Sequence, residues 1–212
     1  MSLPYTIRTS RLLLRCYQPT PSDATMLKTA VDESLEHLLP WMPWAHLEPQ
    51  TIEEKIALLR HFRGQFDLDQ SYAYGVYNLD GTSQLGGIGA HWRAGKGAIE
   101  IGYWVRMSSV RQGIMREAAS ALVRAIFAYL PEVDRIDIHC NPENVASAAV
   151  ARTLGFTHEG TLRQRPLPTV PGVPATVADT MAWSLLRREL VGSPAAATEI
   201  RCADVADREI RH

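Results

Sequence analysis

Residues 98–129 read AIEIGYWVRMSSVRQGIMREAASALVRAIFAY, and this stretch decides the fold. In residues 98–105 apolar side chains alternate with others, which predicts a strand. From Ile114 the apolar residues recur at helical spacing, which predicts an amphipathic helix. The turn between the two exposes consecutive backbone N–H groups at a helix start, an arrangement that binds phosphate. Taken alone, the same residues also fit an ordinary helix start with solvated arginines.

The elements predicted on either side complete a mixed α/β fold. Predicted strands lie at 5–17, 71–79, 84–93, 98–105, 135–140, 156–163 and 176–186, and predicted helices lie at 22–38, from 51, from 114 and at 141–155. This order predicts a mixed, mostly antiparallel sheet of about seven strands with helices on both faces. We expect residues 1–190 to form a single domain. Residues 191–212 are expected to be a tail, either a peripheral helix or disordered.

The composition argues against several functional classes. The chain has 212 residues, 46% hydrophobic and 21% charged, enough for a full core without disulfides or metals. Its three cysteines are widely spaced and odd in number, which argues against a disulfide framework and a zinc site. The net charge of −1 gives no overall attraction to nucleic acid, and no apolar run reaches about 18 residues. We therefore expect a protein of the reducing cytoplasm that binds neither membranes nor nucleic acid directly.

Motifs of several other enzyme classes fail on spacing. Lys96 lies between two glycines but lacks the remaining residues of a P-loop, and His158 lacks the second histidine of a HExxH zinc site. Gly86, Gly87 and Gly89 lie within a predicted strand, so they indicate a bulge or close backbone packing rather than a dinucleotide loop.

Three segments together carry a family resemblance. EIGYWV at 100–105, VRQGIMREAA at 110–119 and NVASAAVARTLGFTHEG at 144–160 resemble the acyl-CoA-dependent N-acetyltransferases of the GNAT superfamily. The likeness is greatest to the RimJ/RimL branch, which modifies ribosomal-protein N-termini, and it extends to TSRLLLR at 9–15 and PWMPW at 40–44. The resemblance implies a GNAT-like fold and acetyl-CoA as the cofactor.

The resemblance also implies which residues bind coenzyme A. Backbone groups of Trp104, Val105 and Arg106 are expected to pair with the pantetheine arm. Backbone N–H groups of six residues are expected to hold the pyrophosphate: Arg111, Gln112, Gly113, Ile114, Met115 and Arg116. Asn144 is expected to hold the cofactor or a backbone group. The loop departs from the superfamily pattern R/Q-x-x-G-x-G/A, since Val110 takes the first position and Met115 the last, which we expect to adjust the fit without abolishing binding.

Two residues are candidates for proton handling. Strand alternation places Glu100 on the same face as Gly102, and the resemblance implies that Glu100 is the catalytic base, acting through water. A structural carboxylate is the alternative. Ser147 is implied to donate to the departing thiolate, because RimJ/RimL relatives have serine there and lack the tyrosine that many members have in place of Ala151. A hydroxyl bonded to its own helix is the alternative for Ser147.

The acceptor is less well specified. Trp41, Trp44, His46 and Tyr72 are candidates for the acceptor pocket, although they also fit core packing or a dimer contact. The branch resemblance and the lower pKa of α-amines favour a protein N-terminal α-amine over lysine as the acceptor. Two alternatives stay open: acetylation of a small amine such as an antibiotic, amino acid or polyamine, and a non-catalytic acyl-CoA sensor. A homodimer is expected.

Overall fold

The computed structural model describes residues 2–210, which contain ten strands and five α-helices. The strands are Thr6–Arg8 (β1), Leu12–Cys16 (β2), Ser71–Asn78 (β3), Gln84–His91 (β4), Ala98–Val105 (β5), Arg135–Cys140 (β6), Thr157–Pro166 (β7), Val177–Leu186 (β8), Arg201–Ala203 (β9) and Glu209–Ile210 (β10). The helices are Pro21–Asp32 (α1), Leu35–Leu38 (α2), Ile52–Asp67 (α3), Ile114–Tyr129 (α4) and Val145–Thr153 (α5). All ten strands form one sheet in the order β10-β9-β1-β2-β3-β4-β5-β6-β8-β7.

The sheet opens in its middle, between β5 and β6. These strands form the one parallel pair found in residues 2–210, and they pair only over residues 98–100 and 135–137. Beyond Glu100, β5 continues to Val105 bonded only to β4, whereas β6 continues to Cys140 bonded only to β8. A wedge therefore separates the two strands, and the β5 edge that faces it has no strand partner.

Helices cover both faces of the sheet, as the sequence predicts. Twelve of the sixteen residues of α4 are buried, and α4 and α5 pack with Ile99 and Ile101 of β5 in the main core. On the opposite face, α1 and α3 form a smaller core with Trp44 and Trp104. In residues 2–210 no helix combines the length and apolar character needed to cross a membrane. The two faces of β5 thus look into different surroundings.

The mixed, mostly antiparallel fold is confirmed, but the sheet has three more strands than expected. The segment 5–17 forms a hairpin rather than one strand, because the Thr9 hydroxyl accepts from the Leu12 N–H at 2.9 Å and closes a turn. The tail was expected to be a helix or disordered. Its described part has short 3-10 turns followed by β9 and β10, which extend the sheet beyond β1.

The predicted helix at 22–38 is also interrupted. Helix α1 begins at Pro21 with Thr20 as its cap and ends at Asp32, and the short helix α2 follows. The Ser34 hydroxyl donates to the Ala30 carbonyl at 2.6 Å and accepts the Met107 N–H at 2.8 Å. Ser34 therefore ties the end of α1 to the segment that follows β5. Helix α3 begins where the sequence predicts a helix, and Thr51 and Glu54 form a capping box at its start.

Candidate active site

The N-terminus of α4 is the one long helix start in residues 2–210 that no side chain caps. Thr20, Thr51 and Asn144 cap α1, α3 and α5 with their side chains. Helix α4 begins instead after Gly113, which has φ +75° and no side chain. Its first intrahelical bond runs from the Glu117 N–H to the Gly113 carbonyl at 3.1 Å, so the preceding N–H groups have no acceptor within the helix.

The loop before α4 adds a second left-handed residue. Arg111 has φ +61°, two positions before Gly113. Left-handed residues close to a helix start turn successive N–H groups towards one point, which is the geometry of an anion-binding nest. The turn from Arg111 to Arg116 can therefore hold an anion, and the open wedge beside β5 leaves room for an extended arm that runs from that point. The binding of a pyrophosphate there stays a prediction.

Two arginines place positive charge at this turn. A Cβ atom on Gly113 would lie 3.6 Å from Nη2 of Arg11 and 3.8 Å from Nη2 of Arg116. Arg116 was predicted from the sequence, but Arg11 was not. Arg11 donates to the Gln112 carbonyl at 3.2 Å and to Glu117 at 2.7 Å. It was missed because it lies in the turn after β1, about a hundred residues away in the chain.

The bulk of Met115 does not enter the phosphate turn. Its side chain is buried and points to β4, where its Cε would lie 2.9 Å from a Cβ on Gly86. Ile114 is also buried. The Cβ added to Gly86 would also lie closer than 3.0 Å to the Trp104 carbonyl oxygen, which confirms the close backbone packing predicted for Gly86. Gly86 thus lets β4 support the part of β5 that borders the wedge.

The backbone and the guanidinium of Arg106 are bonded to other parts of the protein. Its N–H donates to the Leu85 carbonyl at 2.8 Å, and its carbonyl accepts from the Ser109 N–H at 2.9 Å. Its guanidinium binds Glu33 at the end of α1, and hydrogen bonds from Arg106 and Ser108 lower the pKa of Glu33 to about 2. Arg106 therefore positions the loop rather than offering free groups to the wedge, whereas Trp104 and Val105 lie along its open edge.

Glu100 lies at the point where β5 leaves β6, with its side chain 14% exposed. Its Oε2 lies 3.1 Å from Nδ1 of His139, and its Oε1 lies 3.2 Å from Nη2 of Arg93. Nε2 of His139 lies 3.0 Å from Nη1 of Arg165. Because an arginine nitrogen only donates, His139 accepts at Nε2, so it carries its proton on Nδ1 and donates to Glu100.

These partners determine the charge state of Glu100. Burial raises its pKa, but the hydrogen bond from His139 and the charge of Arg93 outweigh burial, and the pKa lies below its usual value of 4.5. On the neighbouring strand, burial and the charge of Arg93 lower the pKa of His91 to about 4. At neutral pH a carboxylate is therefore held next to the uncharged His91 and the Nδ1–H of His139. Sequence reasoning missed His139, Arg93 and Arg165, since none belongs to a recognisable motif.

Open space adjoins Glu100 on the α1 and α3 face of the sheet. A Cβ on Gly102 would meet nothing within 4 Å, so a small group can approach β5 there. Next along the strand, Trp104 packs edge-on against Trp44, with ring centroids 6.0 Å apart. The gap at Gly102 is thus bordered by Glu100 on one side and by this aromatic pair on the other.

Ser147 lies on the opposite side of β5, in the first turn of α5. Its Oγ donates to the Tyr103 hydroxyl at 3.2 Å, and the Tyr103 hydroxyl donates to the Ser147 carbonyl at 3.1 Å. Asn144 caps this helix by accepting the Ser147 N–H at 3.1 Å, so its role in holding a backbone group is present. Ala151 is fully buried. Glu100 therefore lies on one face of β5, and Ser147 of α5 packs against the other, with the wedge between them.

The four pocket candidates are not brought together. Trp44 contacts Trp104 as described, and Trp41 is half-buried in the same loop, whereas His46 is exposed. Tyr72 is 1% exposed, packs against Phe66 and donates to Asp69 at 3.0 Å. Strand alternation explains its position: the adjacent Ser71 bonds His91 on the Glu100 face, so Tyr72 points to the other face and belongs to the core.

The model of the Acetyltransferase (GNAT) domain family matches residues 11–157, which include the wedge, the phosphate turn and α5. The chain belongs to the GNAT family. The wedge and the open helix start are the parts of this chain that fit acetyl-CoA.

This GNAT chain is similar to two ribosomal-protein acetyltransferases. The ribosomal-protein-serine acetyltransferase of Escherichia coli (strain K12) is 42% identical over 65 residues, which is 31% of this chain and 36% of that protein. The match thus spans about a third of the length of the relative. Among solved structures, RimL, a ribosomal L7/L12 α-N-protein acetyltransferase in complex with coenzyme A, has a TM-score of 0.70 and 23% identity over 88% of this chain and 98% of that one.

A further GNAT structure resembles the fold but has another role. The microcin C7 self-immunity acetyltransferase MccE, in complex with acetyl-CoA and AMP, has a TM-score of 0.71 and 18% identity over 84% of this chain and 93% of that one. At these identities the two structures establish the fold alone. The choice of acceptor therefore depends on the residues around Glu100.

Proposed function

We propose that this protein transfers the acetyl group of acetyl-CoA to a primary amine, and that the amine is the N-terminal α-amine of a protein. The observation that carries the proposal is the placement of Glu100 and Ser147 on opposite faces of β5, beside the wedge and the uncapped start of α4. The similarity to the ribosomal-protein-serine acetyltransferase of Escherichia coli supports the choice of acceptor.

The proposed roles follow from this placement. Acetyl-CoA supplies an activated thioester. Backbone N–H groups at the start of α4, with Arg11 and Arg116, neutralise its phosphates, and the open edge of β5 aligns its arm. Glu100 accepts the proton of an amine that approaches through the gap at Gly102, and the Ser147 hydroxyl donates to the sulfur as the carbon–sulfur bond breaks.

The weak basicity of Glu100 favours an α-amine. At pH 7 deprotonating an α-amine of pKa about 8 costs roughly 1 kcal/mol, whereas a lysine costs about 5 kcal/mol. The Glu100 carboxylate, whose pKa is lowered by His139 and Arg93, is too weak a base to contribute much to the deprotonation of a lysine. The guanidinium of Arg93, 3.2 Å from Glu100, also disfavours polyamines, which carry several positive charges.

The test measures thiol release from acetyl-CoA with three sets of acceptors: peptides with a free α-amine, the same peptides with a blocked N-terminus, and small amines. We expect turnover only with free N-termini, and a loss of about 10²- to 10⁴-fold in kcat for Glu100→Gln. Glu53→Gln is the matched control, because Glu53 lies on the exposed side of α3 and should leave activity unchanged.

Each other outcome contradicts a different part of the proposal. Turnover with small amines alone assigns the enzyme to small-molecule acetylation. Binding of coenzyme A with no turnover on any acceptor supports an acyl-CoA sensor. Full activity of Glu100→Gln refutes its role as the base.

We also propose that the protein acts in the cytoplasm and as a homodimer. The composition supports the cytoplasm, and the half-buried Trp41 in the loop that follows α2 supports the homodimer. Light scattering after size-exclusion chromatography measures the oligomeric state, and a monomer at micromolar concentration contradicts the dimer.

A further inference from the structure

Tyr103 is the residue of β5 that the proposed mechanism leaves without a role, although its contacts are specific. It lies three residues beyond Glu100, where β5 has already separated from β6. Its side chain points to the α5 face, opposite Glu100. Its hydroxyl donates to the Ser147 carbonyl at 3.1 Å and accepts from Ser147 Oγ at 3.2 Å. No other side chain in residues 2–210 bonds both the backbone and the side chain of Ser147.

These two bonds hold Ser147 in one orientation. The bond to the Ser147 carbonyl holds the first turn of α5 at a fixed distance from β5, and the bond from Oγ selects one rotamer of the serine. A serine hydroxyl has one hydrogen and two lone pairs, so it can donate to one partner while it accepts from another. When Ser147 turns its hydrogen towards the wedge, the single hydrogen of the Tyr103 hydroxyl can turn from the Ser147 carbonyl to Oγ, which lies 3.2 Å away.

Such a chain of hydroxyls strengthens the terminal donor, because each hydrogen bond polarises the next. Burial keeps the Tyr103 phenol protonated, since it raises its pKa well above the usual value of 10. A phenol in this state supplies a hydrogen at any pH at which the enzyme is active.

We propose that Tyr103 is a positioning residue, which orients the Ser147 hydroxyl and donates to it while Ser147 donates to the departing sulfur. The inference rests on the proposed acetyl transfer. In the step, the amine nitrogen forms its bond to the acetyl carbon, the carbon–sulfur bond breaks with its electron pair going to sulfur, and the amine proton goes to Glu100. Ser147 and Tyr103 keep their protons and stabilise the sulfur through hydrogen bonds.

The test uses Tyr103→Phe, which removes one oxygen and keeps the ring. We expect kcat to fall about tenfold, with the KM for acetyl-CoA and the Kd for coenzyme A within twofold of wild type. Ser147→Ala should lower kcat by about 10²-fold. In the double variant kcat should equal that of Ser147→Ala, because Tyr103 acts only through Ser147.

Tyr77→Phe is the matched control. Tyr77 is a buried tyrosine of β3 whose hydroxyl has no hydrogen-bond partner in the described part of the chain. Its removal should leave kcat unchanged and should not lower the melting temperature. The comparison separates loss of the Tyr103 hydroxyl from the general effect of deleting a buried oxygen.

The outcomes separate this inference from the function on which it rests. Wild-type kcat in Tyr103→Phe, or an equal fall in kcat when Ser147 is already alanine, overturns the inference and leaves acetyl transfer intact. A rise in the Kd for coenzyme A with kcat unchanged also overturns it, since Tyr103 would then be part of the binding surface. If wild type transfers acetyl to no amine, the proposed function and the inference both fail. A melting curve for each variant, and Ser147→Ala measured alone, keep the test decisive if Tyr103→Phe folds poorly.

Discussion

Replacing Gly86 by alanine tests whether the edge of β5 must lie where it does. The added Cβ would lie closer than 3.0 Å to the Trp104 carbonyl oxygen and 3.1 Å from the Val105 Cα. Ordinary contacts begin near 3.4 Å, and these two atoms belong to the backbone, so they cannot rotate away. Strand β5 must therefore move by about 1 Å, and a displacement of that size at a catalytic site lowers the rate by about 10²-fold.

The variant should also lose stability. Overpacking of this kind costs about 1–3 kcal/mol, which lowers the melting temperature of a chain of this size by roughly 2–12 °C. The assay is kcat/KM for acetyl-CoA by thiol release, together with the Kd for coenzyme A by calorimetry, at a temperature where the variant is folded.

Gly64→Ala is the matched control for the glycine substitution. Gly64 lies in α3, where an added Cβ meets nothing within 4 Å, so alanine should stabilise the helix by about 0.5–1 kcal/mol and leave activity unchanged. If Gly86→Ala keeps kcat/KM within twofold of wild type, β5 does not need its present position, and the argument that places the cofactor arm along it is refuted.

Three further predictions concern other parts of the molecule. Lys55 and Glu48 form an ion pair in which both side chains are at most 2% exposed. Lys55→Met should lower the free energy of unfolding in urea by about 3–5 kcal/mol, and the double variant with Glu48→Leu should recover most of that loss. Equal losses of stability in the single and the double variant would contradict a buried ion pair. The pKa of Glu100 is below 4.5 in the folded protein, so its contribution to stability is present above its unfolded pKa and is lost only as the pH falls through the lower folded value. Above pH 5 the acidic limb of kcat/KM should therefore follow the pKa of the acceptor amine. An acidic limb that stays fixed when the acceptor is changed would contradict this prediction. Asn144→Ala removes the cap of α5 and should cost about 1 kcal/mol in thermal unfolding, while Asn144→Ser should restore most of it if capping is its role.

The order of the elements was readable from the sequence because it depends on local patterns. Helical spacing located α4, and the strand-turn-helix order located the phosphate turn. Short strands such as β9 and β10 have only three and two residues, too few for any periodicity, so they were not predicted.

The surroundings of Glu100 could not be read in the same way. His139 reaches Glu100 only because β6 pairs with β5 in parallel at Glu100 and Asp137, which places a residue 39 positions away beside it. Arg165 arrives from β7, a strand that lies at the far edge of the sheet. These contacts depend on the register between distant strands, which no local pattern specifies. The same holds for the prediction that Tyr72 lies in the acceptor pocket, because the face of the sheet to which Tyr72 points depends on how β3 pairs with its neighbours.

The tail also has a consequence for how the protein can be shortened or tagged. The Ser120 hydroxyl of α4 donates to the Ala195 carbonyl at 2.7 Å, and β9 pairs along the whole of β1. Deleting residues 191–210 would uncover the outer edge of β1 and leave a strand able to pair with another molecule. It would also release the middle of the helix whose start forms the phosphate turn. A chain that ends at residue 190 should therefore aggregate, and whatever remains in solution should bind coenzyme A less tightly.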